Sequence, residues 1–242
     1  MSKRVQQMRF SLLAGTSSDW QIFHQMIADR IVPGMRILEV GCGKGSICPF
    51  PWKKYTAKYL VGVDPDPTAS ANPYLDRFVL LKDRTDLRHW PLKGQVFDLI
   101  IARYVLEHVE TSAEFLANIK RFLRPGGEFL FLTPNLLHPA VAVSRILPVS
   151  FKHLILSATK QVDSTDVFPT HYQLNTPAAL DRQLRACGLE PKNITVCEPQ
   201  PVGYLDYSLP TFFVAYCCYR FLKWSGLEHR FGISMFGVVG QG

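Results

Sequence analysis

Short apolar runs alternate along this chain with stretches whose apolar residues recur at helical spacing. Five runs are nearly all apolar: RILEV (36–40), YLVGV (59–63), FVLL (78–81), FDLII (97–101) and EFLFL (128–132). Strands buried on both faces of a parallel sheet have this composition, so the pattern predicts an α/β fold. A helix is expected from DWQIFHQMIADRI (19–31), leading into the first strand. Another is expected over EHVETSAEFLANIKRFL (107–123), where Val109, Phe115, Leu116, Ile119 and Phe122 share a face. RPGG (124–127) should stop it.

After Thr133 the periodicity loosens, and Pro134, Pro139, Pro148 and Pro169 punctuate short amphipathic pieces. That segment reads as an insertion that covers something. TPAALDRQLRACGL then has Thr176 as N-cap, Pro177 at the first helical position and Gly188 just past the end. NITVCE (193–198) and FGISMFGVV (231–239) read as two late strands, with an aromatic helical stretch from Thr211 to Trp224 between them. Trp90 and the aromatics of that last helix are expected in the core.

At 242 residues and 47% hydrophobic, the chain suits one domain with a large core. The formal charge of +7 is concentrated in the first sixty residues, where Lys and Arg far outnumber Asp19, Asp29 and Glu39. That excess reads first as a solvated basic face, with an acidic or anionic partner as the sharper reading. The six cysteines form no CxxC pair and have no His at zinc spacing, so they read as small fillers in a reducing compartment, and no metal site is expected. The N-terminus lacks a sustained apolar region, which makes a secretory leader a poor reading and a cytoplasmic location the expectation. The longest apolar run, FFVAYCCY (212–219), is far short of the roughly 20 residues that cross a bilayer. Peripheral membrane contact stays open, and the sequence gives no oligomeric state.

The chemistry concentrates at ILEVGCGKG (37–45), where Glu39 precedes Gly41, Gly43 and Gly45. A strand, a glycine turn and a second strand ending at Asp64 make a nucleotide-binding βαβ unit. Glycines let backbone approach a ligand, and an acid at the end of the second strand can accept both ribose hydroxyls. Dinucleotides and S-adenosylmethionine both fit this geometry. The dinucleotide fingerprint GxGxxG needs its third glycine one position later than Gly45. Glu39 would also repel a pyrophosphate while suiting a ligand with ammonium and sulfonium charge.

On these residues the chain resembles class I S-adenosylmethionine-dependent methyltransferases of the small-molecule type. The resemblance covers about residues 20–135 by motif and the rest by element order. It implies a Rossmann-like α/β fold with a seven-stranded, mostly parallel sheet, helices on both faces and a lid insertion after strand five. One domain over 1–242 is expected, with the cofactor core at about 20–135, the lid at about 136–175 and the C-terminal helix and strands at about 176–242.

LEVGCGKG resembles the family's first motif, which implies that Glu39, Gly41, Cys42, Gly43 and Gly45 line the methionine end of S-adenosylmethionine. GVDPDP resembles the second, placing Asp64 on the ribose and Pro65 against the adenine. In LLKDRTDL, Asp83 sits where the family often has an acid meeting the adenine amino group, with Arg84 beside it. FDLIIARYVLEHVE implies that Ala102 and Arg103 touch the methionine portion. Two departures stand out. Pro49 and Pro51 fall where the family has a regular helix, which should be short or displaced, and the uncharged ending GVVGQG suggests a last strand that frays.

The acceptor is less legible. Amino methylation of nucleic acids in this fold usually shows Asn or Asp, two prolines and an aromatic after strand four, whereas this chain reads ARYV, which argues against that class. The insertion carries His171 and Tyr172 side by side, read as base and acceptor-orienting group under a lid, or as packing residues. His108 is the next candidate base. Transfer to oxygen or carbon of a small, partly hydrophobic acceptor is the expected activity. An NAD(P)-dependent oxidoreductase and a non-catalytic S-adenosylmethionine-binding protein are the competing readings.

Overall fold

The computed structural model describes residues 7–8, 11–46, 49–55, 58–81, 90–146, 169–201 and 209–242. Seven strands form one sheet: β1 (Arg36–Val40), β2 (Tyr59–Asp64), β3 (Arg77–Leu80), β4 (Phe97–Arg103), β5 (Leu123–Pro134), β6 (Leu189–Cys197) and β7 (Ser234–Gln241). Their order is β3-β2-β1-β4-β5-β7-β6. The first five strands pair in parallel, and β7 runs antiparallel between β5 and β6.

Alternation along each strand builds two cores, one on either face of the sheet. Leu38, Val61, Ile100, Phe129 and Phe131 point to the side covered by α2 (Ser112–Phe122) and α4 (Pro177–Ala186). Ile37, Leu60, Leu99, Leu130 and Leu132 point to the other, where α1 (Asp19–Ala28) supplies Phe23 and Ile27. Trp90 lies in the first core, stacked on Phe122 with ring centroids 5.8 Å apart. Ser18 and Gln21 close a capping box at the start of α1. At α4, Thr176 caps the first turn, Pro177 follows, and Gly188 lies just past the end with φ +67°.

Four expectations about elements need correction or refinement. The helix expected from Glu107 starts at Ser112, because Leu106–His108 is a single 3-10 turn. There the Glu107 carbonyl accepts the N–H groups of His171 and Tyr172 instead of a helical N–H. RPGG does not separate helix from strand: α2 ends at Phe122 and β5 begins at Leu123. The two glycines sit in a register shift between Leu123, which pairs with Phe97, and Glu128, which pairs with Leu99. The last strand does not fray, since β7 is paired on both sides and Gln241 Nε2 donates to the Lys120 carbonyl. In α5 (Leu209–Ser225), Phe212 and Tyr219 are buried as expected, but Phe213, Phe221 and Trp224 are exposed.

The expectation for the stretch after the glycine loop holds among the described residues, where a single 3-10 turn at Trp52–Lys54 stands between β1 and β2. The segment after β5 contributes α3 (Pro139–Ile146), and the middle of the expected lid, 147–168, lies outside the described residues. A short α6 (Glu228–Phe231) joins α5 to β7.

Candidate active site

The strand order reverses between β1 and β4, and in an open parallel sheet the crevice at such a point, beyond the carboxyl ends of the strands, takes the ligand. Gly41, Gly43 and Gly45 form the loop that leaves β1 here, with φ of +67°, +50° and +69°. Only glycine adopts that backbone without strain. The loop is tied down from behind, since Gly41 N donates to the Val63 carbonyl at 2.9 Å. A Cβ on Gly41 would lie 2.5 Å from Val105 Cγ2, whereas one on Gly43 would meet nothing within 4 Å. Open space therefore stands over the centre of the loop.

Two buried carboxylates flank it. Glu39 lies on β1 and forms an ion pair with the Arg103 guanidinium at the end of β4. Arg103 also sits over the Trp20 ring, 5.3 Å from its centroid. This alters the electrostatic reading of Glu39, because its charge is shared with a cation and repels a pyrophosphate less than a bare carboxylate would. Asp64 ends β2 and accepts from Gly43 N at 2.9 Å and from Asp66 N at 2.8 Å. Cys42 lies between both acids. Burial, and then the Asp64 and Glu39 charges, push its thiol far above the usual range, so it is an inert filler here.

Pro65 is half-buried directly after β2. Ala102 pairs with Val40, and its methyl is committed to the core, leaving backbone at the crevice. Asp83 and Arg84 lie outside the described residues.

Sequence reasoning missed the residue that holds the loop. Asn72 Nδ2 donates at 3.1 Å to both the Cys42 and Gly43 carbonyls, while its Oδ1 accepts from Tyr74 N. It also missed the cluster from α1: Tyr104 hydroxyl bonds Asp19, and the Trp20 and Tyr104 rings lie 5.4 Å apart. Tyr104 has φ +54°, a left-handed backbone that costs a non-glycine residue about 1–3 kcal/mol.

The three candidate catalytic residues do come together. His171 N and Tyr172 N donate to the Glu107 carbonyl at 2.7 and 3.1 Å, and His108 Nδ1 lies 2.7 Å from the Pro169 carbonyl. A carbonyl only accepts, so that contact puts the His108 proton on Nδ1 and leaves Nε2 as the basic nitrogen. Burial lowers the pKa of His108, the Pro169 carbonyl opposes this, and the His171 charge lowers it further. Tyr172 shares the strained left-handed backbone, at φ +54°.

Beneath this pair the Glu107 carboxyl is buried, and burial raises its pKa to about 7 against the bond from Thr133 Oγ1 at 3.0 Å. Asn175 Nδ2 in turn donates to Thr133 Oγ1 at 2.6 Å. Among the described residues, no group of three or more His, Cys, Asp and Glu is placed to hold a metal ion.

A glycine loop with open space above it, set between the Glu39–Arg103 pair and the Asp64 carboxylate, fits a nucleoside ligand. A methyltransferase domain is the family description that matches residues 16–193. The chain belongs to that family. It is a class I S-adenosylmethionine-dependent methyltransferase domain.

A tRNA U34 carboxymethyltransferase of Saccharophagus degradans is 32% identical over 130 residues, which is 48% of this chain and 37% of that protein. A ubiquinone biosynthesis O-methyltransferase of Rhodopseudomonas palustris is 33% identical over 105 residues, 42% of this chain and 41% of that protein. The chain thus spans less than half the length of these curated relatives. The crystal structure of an S-adenosylmethionine-dependent methyltransferase from Mesorhizobium loti matches the fold with a TM-score of 0.59 at 20% identity, covering 95% of this chain and 100% of that one.

Proposed function

We propose that this methyltransferase domain methylates a small, partly hydrophobic acceptor at oxygen or carbon, with the His108–His171 pair as the base. One observation carries the reading. The Glu107 carbonyl joins the His171–Tyr172 backbone to the turn after β4, and that turn leans through Val105 on Gly41 of the glycine loop. The His171–Tyr172 backbone and the turn that carries His108 are thereby joined to the loop that would hold the cofactor.

When bound, S-adenosylmethionine supplies an electrophilic methyl group whose in-line displacement asks the protein for alignment and a dry site. In this reading Glu39 and Arg103, with the loop from Gly41 through Cys42 and Gly43 to Gly45, hold the methionine end. Asp64 accepts the ribose hydroxyls and Pro65 borders the adenine, as Asp83 and Arg84 would beyond it. An acceptor O–H or enolisable C–H would give its proton to His108 Nε2 or to His171, leaving the acceptor its electron pair for the methyl group that the sulfonium would release as it becomes a thioether. Burial keeps His108 neutral near pH 7, the form a base requires. Tyr172 orients the acceptor.

Transfer to oxygen has support in the O-methyltransferase named above. RNA is the second reading, favoured by the tRNA-directed relative. Incubating host extract with the protein and cofactor labelled in its methyl group separates them. Label in organic-extractable small molecules is the expected result. Label that nuclease digestion releases would move the acceptor to RNA.

A further inference from the structure

Helix α5 (Leu209–Ser225) is apolar on two opposite sides. Phe212, Ala215, Tyr219 and Leu222 are buried against the protein. On the other side Phe213, Val214, Phe221 and Trp224 are 60%, 58%, 54% and 84% exposed, and exposed Cys217 lies among them. Their spacing places them on one stripe of a helix with 3.6 residues per turn. A helix apolar all round is normally buried all round, and among the described residues no second apolar surface covers this face.

Charge says which surface. Residues 209–225 contain no acid, and Arg220 and Lys223 are exposed beside the stripe. The nearby Glu228 already pairs with Lys223 at 2.5 Å. A second copy docked by two-fold symmetry would set this cationic stripe against itself, with no carboxylate on either helix to meet the arginines. An anionic bilayer surface meets both demands. Phe and Trp enter the boundary between headgroups and acyl chains, and Arg220 reaches to the phosphates.

We propose that α5 docks this protein on an anionic lipid surface. Among the described residues no helix is long and apolar enough to cross a membrane, so the docking is peripheral. The short α6 that follows it offers the Arg230 carbonyl to Asn135 Nδ2 just beyond the carboxyl end of β5.

Flotation tests this without any acceptor, using vesicles of phosphatidylcholine alone and of equal parts phosphatidylcholine and phosphatidylglycerol. The full chain should float with the mixed vesicles, more weakly as salt is raised. Phe221→Ser combined with Trp224→Ser should lower the partition coefficient by about tenfold or more. Arg220→Glu should lower it on the mixed vesicles only. Unchanged affinity of each variant for S-adenosylhomocysteine would show that the fold is retained. A wild-type chain that fails to float, or a serine double variant that floats as well as wild type, overturns the proposal. A wild-type dimer that the double variant turns into a monomer, seen by sedimentation in the absence of flotation, would assign the stripe to a second copy.

Discussion

Val105 Cγ2 stands 2.5 Å from where a Cβ on Gly41 would be, at a position whose φ is +67°. The turn after β4 and the glycine loop after β1 are therefore fitted to each other, and Gly41 is subject to two separate constraints. Gly41→Ala should cost about 1–2 kcal/mol from the left-handed backbone and about 1–3 more from overpacking. Adding Val105→Ala relieves only the second. Denaturant unfolding of the four proteins in this cycle should show a positive coupling of about 1 kcal/mol or more. Additive losses would mean that Val105 gives way freely.

Asp64 holds Gly43 N and Asp66 N with its two oxygens, so it shapes the loop as well as facing the crevice. Asp64→Ala should weaken S-adenosylhomocysteine by about 2–4 kcal/mol, from charge-assisted bonds lost to the ribose and from a looser loop. Calorimetric titration of a folded variant at unchanged affinity would remove Asp64 from the proposed site.

Glu39 and Arg103 form a part-buried pair, which sharpens what Glu39→Gln should do. The substitution keeps the shape of the side chain but leaves the guanidinium facing an amide. Affinity for S-adenosylmethionine should fall more than affinity for adenosine, which lacks the cationic end, and unfolding stability should fall by about 1–3 kcal/mol. Equal losses for both ligands would make the carboxylate a support for Arg103 and the loop alone.

The parts of this site readable in the sequence are those set by local backbone or by continuous burial. RILEV and FDLII became β1 and β4 because both faces of the sheet are covered, and the GxGxG spacing placed a left-handed turn where one is found. Asn72 was not readable, because nothing in its neighbourhood marks it until folding brings it under the Cys42 and Gly43 carbonyls. The partners of Glu39 and Tyr104 were hidden for the same reason, being side-chain contacts 64 and 85 residues apart in sequence. The helix start expected at Glu107 failed because a tertiary bond took its carbonyl, which no local propensity records.

Glu107 should leave a signature in the pH dependence of stability. Its folded pKa of about 7 lies above the ordinary 4.5, so between those values the unfolded chain loses a proton that the folded chain keeps. Stability from this group falls as pH rises through that window, by about 3 kcal/mol in all. Glu198, buried beside His138 and raised to about 7 by burial, acts in the same direction. His138, lowered to about 4 by burial, acts oppositely, removing stability as pH falls from 6.5. Comparison with Glu107→Gln isolates the first group. The stability difference should shift by about 3 kcal/mol in favour of the glutamine variant between pH 4.5 and 7.5. A pH-independent difference would mean that the carboxyl titrates normally.

The two histidines make different predictions. His108 has its Nδ1 on the Pro169 carbonyl and a pKa lowered by burial, so Nε2 is already the unprotonated nitrogen near neutral pH. His171 is fixed by backbone to the Glu107 carbonyl and is close enough for its charge to lower the pKa of His108. If His171 takes the proton, His171→Ala should lower turnover by about a hundredfold or more and leave S-adenosylhomocysteine affinity unchanged, the usual scale of a lost general base. His108→Ala should then cost less. If His108 takes it, the order reverses, and the acid limb of the pH–rate profile, set by protonation of Nε2, should disappear in His108→Ala only. Turnover near wild type in both variants would place the base outside this pair, or show that the acceptor is already ionised. A fall in cofactor affinity in His171→Ala would make the His171–Tyr172 segment a structural cover.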